Sequence, residues 1–201
     1  MNKKRTATAF ATLALTFTFV GQTFAYTVQS GDTMWKIASK NQTGVQELIN
    51  ANPSLKDPNK LYVGQNITIP TVANKAFENK VVELVNQERA KAGLKPLTAN
   101  WELARVTRYK SEDMRDKKYF DHQSPTYGSP FDMMSKFGIT YKTAGENIAG
   151  GQTTPEAVMQ AWMKSPGHKA NILNPGFTQI GVGYAKGGSY GHYWTQQFIS
   201  K

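Results

Sequence analysis

No cysteine occurs anywhere in the 201 residues. Whatever folds here must be held by packing and hydrogen bonds, because no disulfide, thiolate metal ligand or cysteine nucleophile is available. The constraint is sharpened by an N-terminus that reads as an export leader. Asn2-Lys3-Lys4-Arg5 is basic, Ala7 to Val20 is an apolar or small-residue run too short for a membrane span, and Thr23-Phe24-Ala25 offers small residues at both cleavage positions. The expectation is a signal peptide over residues 1–25, cut after Ala25, with no transmembrane anchor left. A secreted chain without cysteine depends on its core, which requires more than a minimal domain. The composition, 39% hydrophobic and 19% charged, suits one globular domain or two small ones.

The formal net charge is +10. Cleavage would remove Lys3, Lys4 and Arg5 and no acidic residue, so the exported chain stays basic. That balance suits an anionic, phosphate-bearing envelope, and it equally suits a solvated surface. Nucleic acid is not an expected partner: the basic residues are dispersed, no recognition motif appears, and the chain carries a leader.

Residues 26–70 read as a β-α-α-β unit. Tyr26-Thr27-Val28 alternates like a strand, and Ser30-Gly31-Asp32-Thr33 is a turn that supplies helix caps. Met34, Ile37 and Ala38 recur at helical spacing, as do Val45, Leu48 and Ile49, with Thr43-Gly44 between the two helices. Asn52-Pro53 closes the second helix, since proline disfavours helix in the residue before it. Leu61 to Pro70 reads as a turn and a second strand. This run, with its Gly-Asp-Thr turn, Asn-Ala-Asn-Pro break, Val-Gly-Gln turn and closing Ile-Pro, resembles a LysM domain over its whole length. The resemblance implies binding of N-acetylglucosamine-containing glycan such as peptidoglycan, in a shallow groove. Gly31, Asp32, Thr33 and Met34 would line one side, and Asn52, Pro53, Ser54 and Leu55 the other. Gly31 and Asp32 could equally serve only turn and cap. Trp35 stays unassigned, because a helix position can bury it.

Thr71 to Lys75 is a linker too short to let two domains separate far. Beyond it, Phe77, Val81, Val82, Leu84 and Val85 mark a helix ending near Gly93, and Asn100-Trp101 opens a second, with Leu103, Ala104, Val106, Tyr109 and Met114 facing a core. Its charged residues Arg105, Arg108, Lys110, Arg115, Lys117 and Lys118 read as a solvated face, and Glu112 as the salt-bridge partner of a neighbouring arginine. Gln123 to Thr143 reads as irregular, with Phe131, Met133, Met134 and Phe137 as core or cleft wall. Thr154-Pro155-Glu156 starts another helix. Two apolar runs, 177–185 and 190–199, form a hairpin about Lys186-Gly187-Gly188-Ser189.

The stretches AGENIA (144–149) and WMKSPGHKANIL (162–173) place Glu146 and His168 among glycines and prolines, and His122 lies upstream in FDHQSP. Histidines can carry protons or ligate metal, and a glutamate can act as acid, base or third ligand. Singly, each has a plainer role: His122 beside Asp121 as a surface ion pair, Glu146 and His168 as helix caps. His192 reads as a strand residue without a role. No Gly-x-Ser-x-Gly elbow surrounds Ser165 and no His-Glu-x-x-His helix occurs, so the sequence contains no complete hydrolase constellation.

The motifs FDHQSP, AGENIA, AWMKSPGHKANILNP, FTQIGVGYA and YWTQQF, in this order, make residues 76–201 similar to a bacterial CAP (SCP-like) domain of the YkwD type. The resemblance implies an α+β chain overall: a small βααβ LysM domain followed by an α-β-α sandwich whose central cleft carries a His/Glu tetrad. His122, Glu146 and His168 take three tetrad positions, as catalytic or metal-binding candidates with zinc as the candidate cofactor. The fourth falls near Lys164 or Ser165, where no carboxylate stands. Proteolysis, metal binding and lipid binding have each been proposed for the family. The expectation is a secreted protein of the cell wall, extracellular space or spore envelope. LysM would hold peptidoglycan, and the CAP cleft would bind or regulate, with a wall hydrolase or a lipid among its partners. The alternative is a metal-dependent hydrolase targeted to the wall.

Overall fold

The computed structural model describes residues 23–201, so the expected leader lies outside the described residues except for Thr23, Phe24 and Ala25. Those three begin strand β1 (Thr23–Thr27), which pairs antiparallel with β2 (Asn66–Pro70), from Thr23↔Pro70 to Thr27↔Asn66. Between them stand α1 (Met34–Lys40) and α2 (Val45–Asn50). Thr33 starts α1 by accepting a hydrogen bond from the Lys36 amide at 3.2 Å. Val28, Met34, Ile37, Ala38, Leu48, Ile67 and Ile69 form the core of this unit. Asn52 bolts the helices to the sheet, its amide donating to Leu48 O and Thr68 O and accepting from Thr68 N.

The second unit begins with α3 (Lys75–Lys91), followed by β3 (Thr98–Ala99), α4 (Trp101–Asp116), α5 (Pro130–Lys136), β4 (Thr143–Gly150), α6 (Pro155–Lys164), α7 (Pro166–Ile172), β5 (Gln179–Lys186) and β6 (His192–Ser200). Its sheet runs β3-β5-β6-β4, with β3 parallel to β5 and the other pairs antiparallel. Strand alternation divides the core between two faces. Trp194, Phe198, Val182 and Tyr184 pack with Val81, Val85, Val158 and Trp162 of α3 and α6. Ile199 packs with Leu103 and Val106 of α4 and with Met133 and Met134 of α5. The result is helix, sheet, helix in three layers, as the resemblance implies.

Several local readings differ from the sequence expectation. The stretch read as irregular contains α5, set by a capping box in which Ser129 Oγ accepts from the Asp132 amide and the Asp132 carboxylate accepts from the Ser129 amide. The Ser129-Pro130-x-Asp132 signature was legible. Glu146 lies in strand β4, not before a helix. The charged side of α4 is only partly solvated. Arg105 pairs with Glu47 of the first unit and Arg108 with Glu78, while Lys110 is 1% exposed. Glu112, read as an arginine's salt-bridge partner, has Arg108 and Arg115 near it but forms no salt bridge among the described residues.

Helix α4 lies on β5 at a separation that side chains would forbid. A Cβ at Gly181 would overlap the backbone of Leu103 and Ala104, and one at Gly183 the backbone of Thr107 and Arg108. Ser111 seals the contact, its hydroxyl bonding Gly183 O at 3.1 Å and Thr195 Oγ1 at 2.9 Å. Because the obstruction is backbone, it cannot be relieved by a rotamer change. Gly183→Ala is expected to cost about 3 kcal/mol, the upper end of ordinary overpacking penalties, read as a lowered urea midpoint of the full chain.

Candidate functional site

Glu146 sits on the edge strand β4, facing the α4 side of the sheet, with its carboxylate buried. Its Oε1 is 2.8 Å from His122 Nδ1, and its Oε2 accepts from Gln197 Nε2 at 2.9 Å. Gln197 stands directly opposite Glu146 in the register with β6. A carboxylate only accepts, so His122 Nδ1 carries the proton and the Nε2 edge of the ring is left free. The His122 side chain is about half exposed, at 51%.

The loop that presents His122 has no helix or strand from Lys117 to Ser129 apart from an isolated Ser124↔Gly128 bridge. Buried polar groups of α4 hold it. Lys110 Nζ donates to Asp121 O at 2.7 Å and His122 O at 2.9 Å. Asp113 accepts from Tyr119, Ser124 and Thr126. Burial pushes the Asp113 carboxyl up, but these three hydroxyl bonds prevail and hold it below the usual range. Burial lowers the Lys110 ammonium, opposed by the negative charges of Glu146, Asp113 and Asp121.

His168 comes from α7, beyond the same edge strand. Asn147, buried on the opposite face from Glu146, donates to His168 O at 3.1 Å and accepts from Asn171 at 2.8 Å, while Asn171 also donates to Glu146 O at 3.2 Å. Buried Arg89 anchors the far end of the helix by donating to Ile172 O and Asn174 O. His122, Glu146 and His168 therefore share one end of the domain. The His122–Glu146 bond is direct, and His168 is near enough to feel the charge of His122. The two histidines are driven apart in acidity. The hydrogen bond to Glu146 raises His122 against the opposing effects of burial and Lys110, whereas burial and then His122 lower His168. Such a cleft can hold or exchange a proton at His122 Nε2 and accept a bond at His168. His192, expected to have no role, bonds Tyr184 Oη at 2.7 Å at the start of β6.

The donor set does not fit a zinc ion as arranged. Both Glu146 oxygens are committed to His122 and Gln197, and among the described residues no three His, Cys, Asp or Glu side chains form a group able to hold a metal. Ser165 joins α6 to α7 and its side chain makes no capping bond. The residues missed from sequence are Gln197, Asn147, Asn171, Lys110 and Asp113. For Gln197 and Asn147 the signal was polarity inside an otherwise apolar strand, as in Thr195-Gln196-Gln197 between Trp194 and Phe198.

In the first unit, the eight residues expected to face a glycan divide. Met34 belongs to the core, and Asn52 is largely buried as the bolt while also lining the hollow beside the second rim. Asp32 accepts from Tyr26 Oη and the Gln29 amide, each at 2.8 Å, and the amide bond, followed by the tyrosine bond, holds its carboxyl below the usual range. Gly31, at φ +79°, turns the chain there. Gly31, Thr33, Pro53 and Ser54 are exposed and Leu55 is half-buried. Trp35, left unassigned, is 68% exposed two residues beyond Thr33, and Tyr62 is also exposed. A hollow of about 410 Å³, lined by Ser54, Leu55, Lys60, Tyr62, Gln65 and Asn66 among others, lies beside the second rim.

Raising the pH should weaken the fold through His122. A histidine with a raised folded pKa contributes its full stabilisation below the ordinary histidine range and loses it as pH climbs through the folded value. By NMR, His122 is expected to titrate above and His168 below the ordinary value, and Glu146→Gln is expected to bring His122 down.

The profile of the cysteine-rich secretory protein (CAP) family matches residues 82–198, and that of the LysM domain matches residues 26–70. The uncharacterized protein YkwD of Bacillus subtilis strain 168 is 56% identical over 171 residues, covering 78% of this chain and 65% of YkwD, so the chain spans a little under two thirds of that relative. The endolysin of Bacillus phage PZA is 46% identical over 55 residues, covering 27% of this chain and 21% of the endolysin. Among solved structures, an extracellular protein containing an SCP domain from Bacillus anthracis strain Ames superposes with a TM-score of 0.58 at 34% identity, over 69% of this chain and 47% of that one. Three-layer fold and profile agree, and the chain belongs to the cysteine-rich secretory protein (CAP) family, with a LysM domain preceding its CAP domain.

Proposed function

We propose that this is an exported protein of the bacterial cell wall or spore envelope. Its LysM domain holds peptidoglycan through N-acetylglucosamine, and its CAP domain presents the His122–Glu146–His168 cleft to a ligand or partner at the envelope, such as a wall hydrolase or a lipid. The observation that carries this reading is the LysM match over residues 26–70, supported by the likeness to a phage endolysin. The exposed rim residues Gly31, Thr33, Pro53 and Ser54, with Leu55 as an apolar wall, supply the backbone and side-chain groups that a sugar acetamide requires. Among the described residues no helix is long and apolar enough to cross a membrane, and in this proposal the chain is retained through the glycan.

The cleft reads as binding or regulatory. What supports this reading is that His122 and Glu146 form a proton-holding pair whose carboxylate is engaged by His122 and Gln197. Three outcomes test the whole reading. Pelleting with purified peptidoglycan should retain the full chain, and Pro53→Ala/Ser54→Arg should weaken retention by about tenfold, roughly 1.4 kcal/mol. His122→Ala and His168→Ala, both in the CAP domain, should leave retention unchanged. Calorimetric zinc titration is expected to yield no heat that His122→Ala/His168→Ala removes, and micromolar binding lost in that double variant would instead establish a metal centre.

A further inference from the structure

We infer that Lys110 and Asp113, two buried charges one turn apart on α4, form a latch that sets the His122 ring against Glu146 and so determines which edge of the imidazole the cleft offers.

Lys110 is 1% exposed, and its ammonium has three protons and three partners: Asp121 O at 2.7 Å, His122 O at 2.9 Å and Tyr119 Oη at 3.2 Å. The ammonium also lies 4.9 Å from the centre of the Tyr119 ring. Asp113 takes the other half of the loop. Its Oδ2 accepts from Tyr119 Oη at 2.7 Å and Ser124 Oγ at 2.6 Å, and its Oδ1 from Thr126 Oγ1 at 2.6 Å. Ser124 Oγ in turn accepts from the Thr126 and Tyr127 amides, and the Ser124↔Gly128 bridge closes the turn. His122 is thus clamped from both sides, by a cation on the carbonyls at 121 and 122 and by an anion on the hydroxyls at 119, 124 and 126.

The two charges do not pair directly. Tyr119 Oη spans them, accepting from Lys110 and donating to Asp113. A buried charge is costly unless it is hydrogen-bonded, and a satisfied polar network favours one arrangement over its competitors. Asp121, His122 and Gln123 are themselves exposed, so apolar burial does not order this segment. With the His122 carbonyl fixed, Nδ1 meets Glu146 and Nε2 keeps no hydrogen-bond partner among the described residues. Lys110 and Asp113 are positioning residues, and neither needs to touch a ligand.

This inference concerns the CAP cleft and is independent of glycan binding, so the experiment reads His122 in the full chain without ligand. The hydrogen-bonded Hδ1 proton of His122 and the amide exchange of residues 119–124 are followed by NMR in Lys110→Met and Tyr119→Phe. Lys110→Met, which keeps the stem and removes the donors, is expected to abolish the protected Hδ1 signal and speed loop exchange by at least about tenfold while β4 and β6 amides stay protected. A folded Lys110→Met protein with an intact Hδ1 signal and unchanged loop exchange would overturn the latch. Tyr119→Phe removes only the bridging hydroxyl and carries the test if Lys110→Met does not fold. A several-fold rise in loop exchange supports the latch, and an unchanged rate overturns it.

Discussion

Helix α4 rests on strand β5 through glycine, and much of the CAP domain depends on that contact. Gly181 and Gly183 let helix backbone meet strand backbone with no side chain between them. The close approach gives α4 a fixed height and rotation over the sheet, sealed by Ser111 against Thr195 and the Gly183 carbonyl. From that fixed helix project Arg105 toward Glu47 of the LysM unit, Arg108 toward Glu78, and Lys110 and Asp113 toward the loop of His122. One rigid element therefore contacts the neighbouring domain and sets the cleft.

The cleft itself is assembled around the edge strand. Adjacent residues of β4 point to opposite faces, so Glu146 meets His122 on the α4 side while Asn147 ties down α7 on the other. His122 is held on the buried carboxylate and shifted up, while His168, near enough to feel the charge of His122, is shifted down. Gln197 occupies the second oxygen of Glu146, which is why the arrangement favours hydrogen bonding over metal ligation.

Much of this was legible before the structure. Periodicity and caps located α3, α4 and α6, and the motif order identified the LysM and CAP families. Three kinds of feature were not legible. The helix within 123–143 is only seven residues long, too short for its periodicity to stand out among glycines and prolines, although its capping box was present. The role of Lys110 was hidden because local sequence cannot show which charged position of an amphipathic helix meets a loop rather than water. Met34 and Asn52 lie beside exposed residues in sequence yet serve the fold, Met34 in the core and Asn52 in hydrogen bonds that tie helix to strand.

The account separates two tasks between two modules: the LysM rim holds wall glycan, and the CAP cleft meets something else. The most direct test is to titrate an N-acetylglucosamine oligomer into the isotope-labelled full chain and map the amide shifts. The account predicts changes around residues 31–35 and 52–55, with His122, Glu146 and His168 undisturbed. Shifts centred on the cleft, with the LysM rim silent, would contradict it.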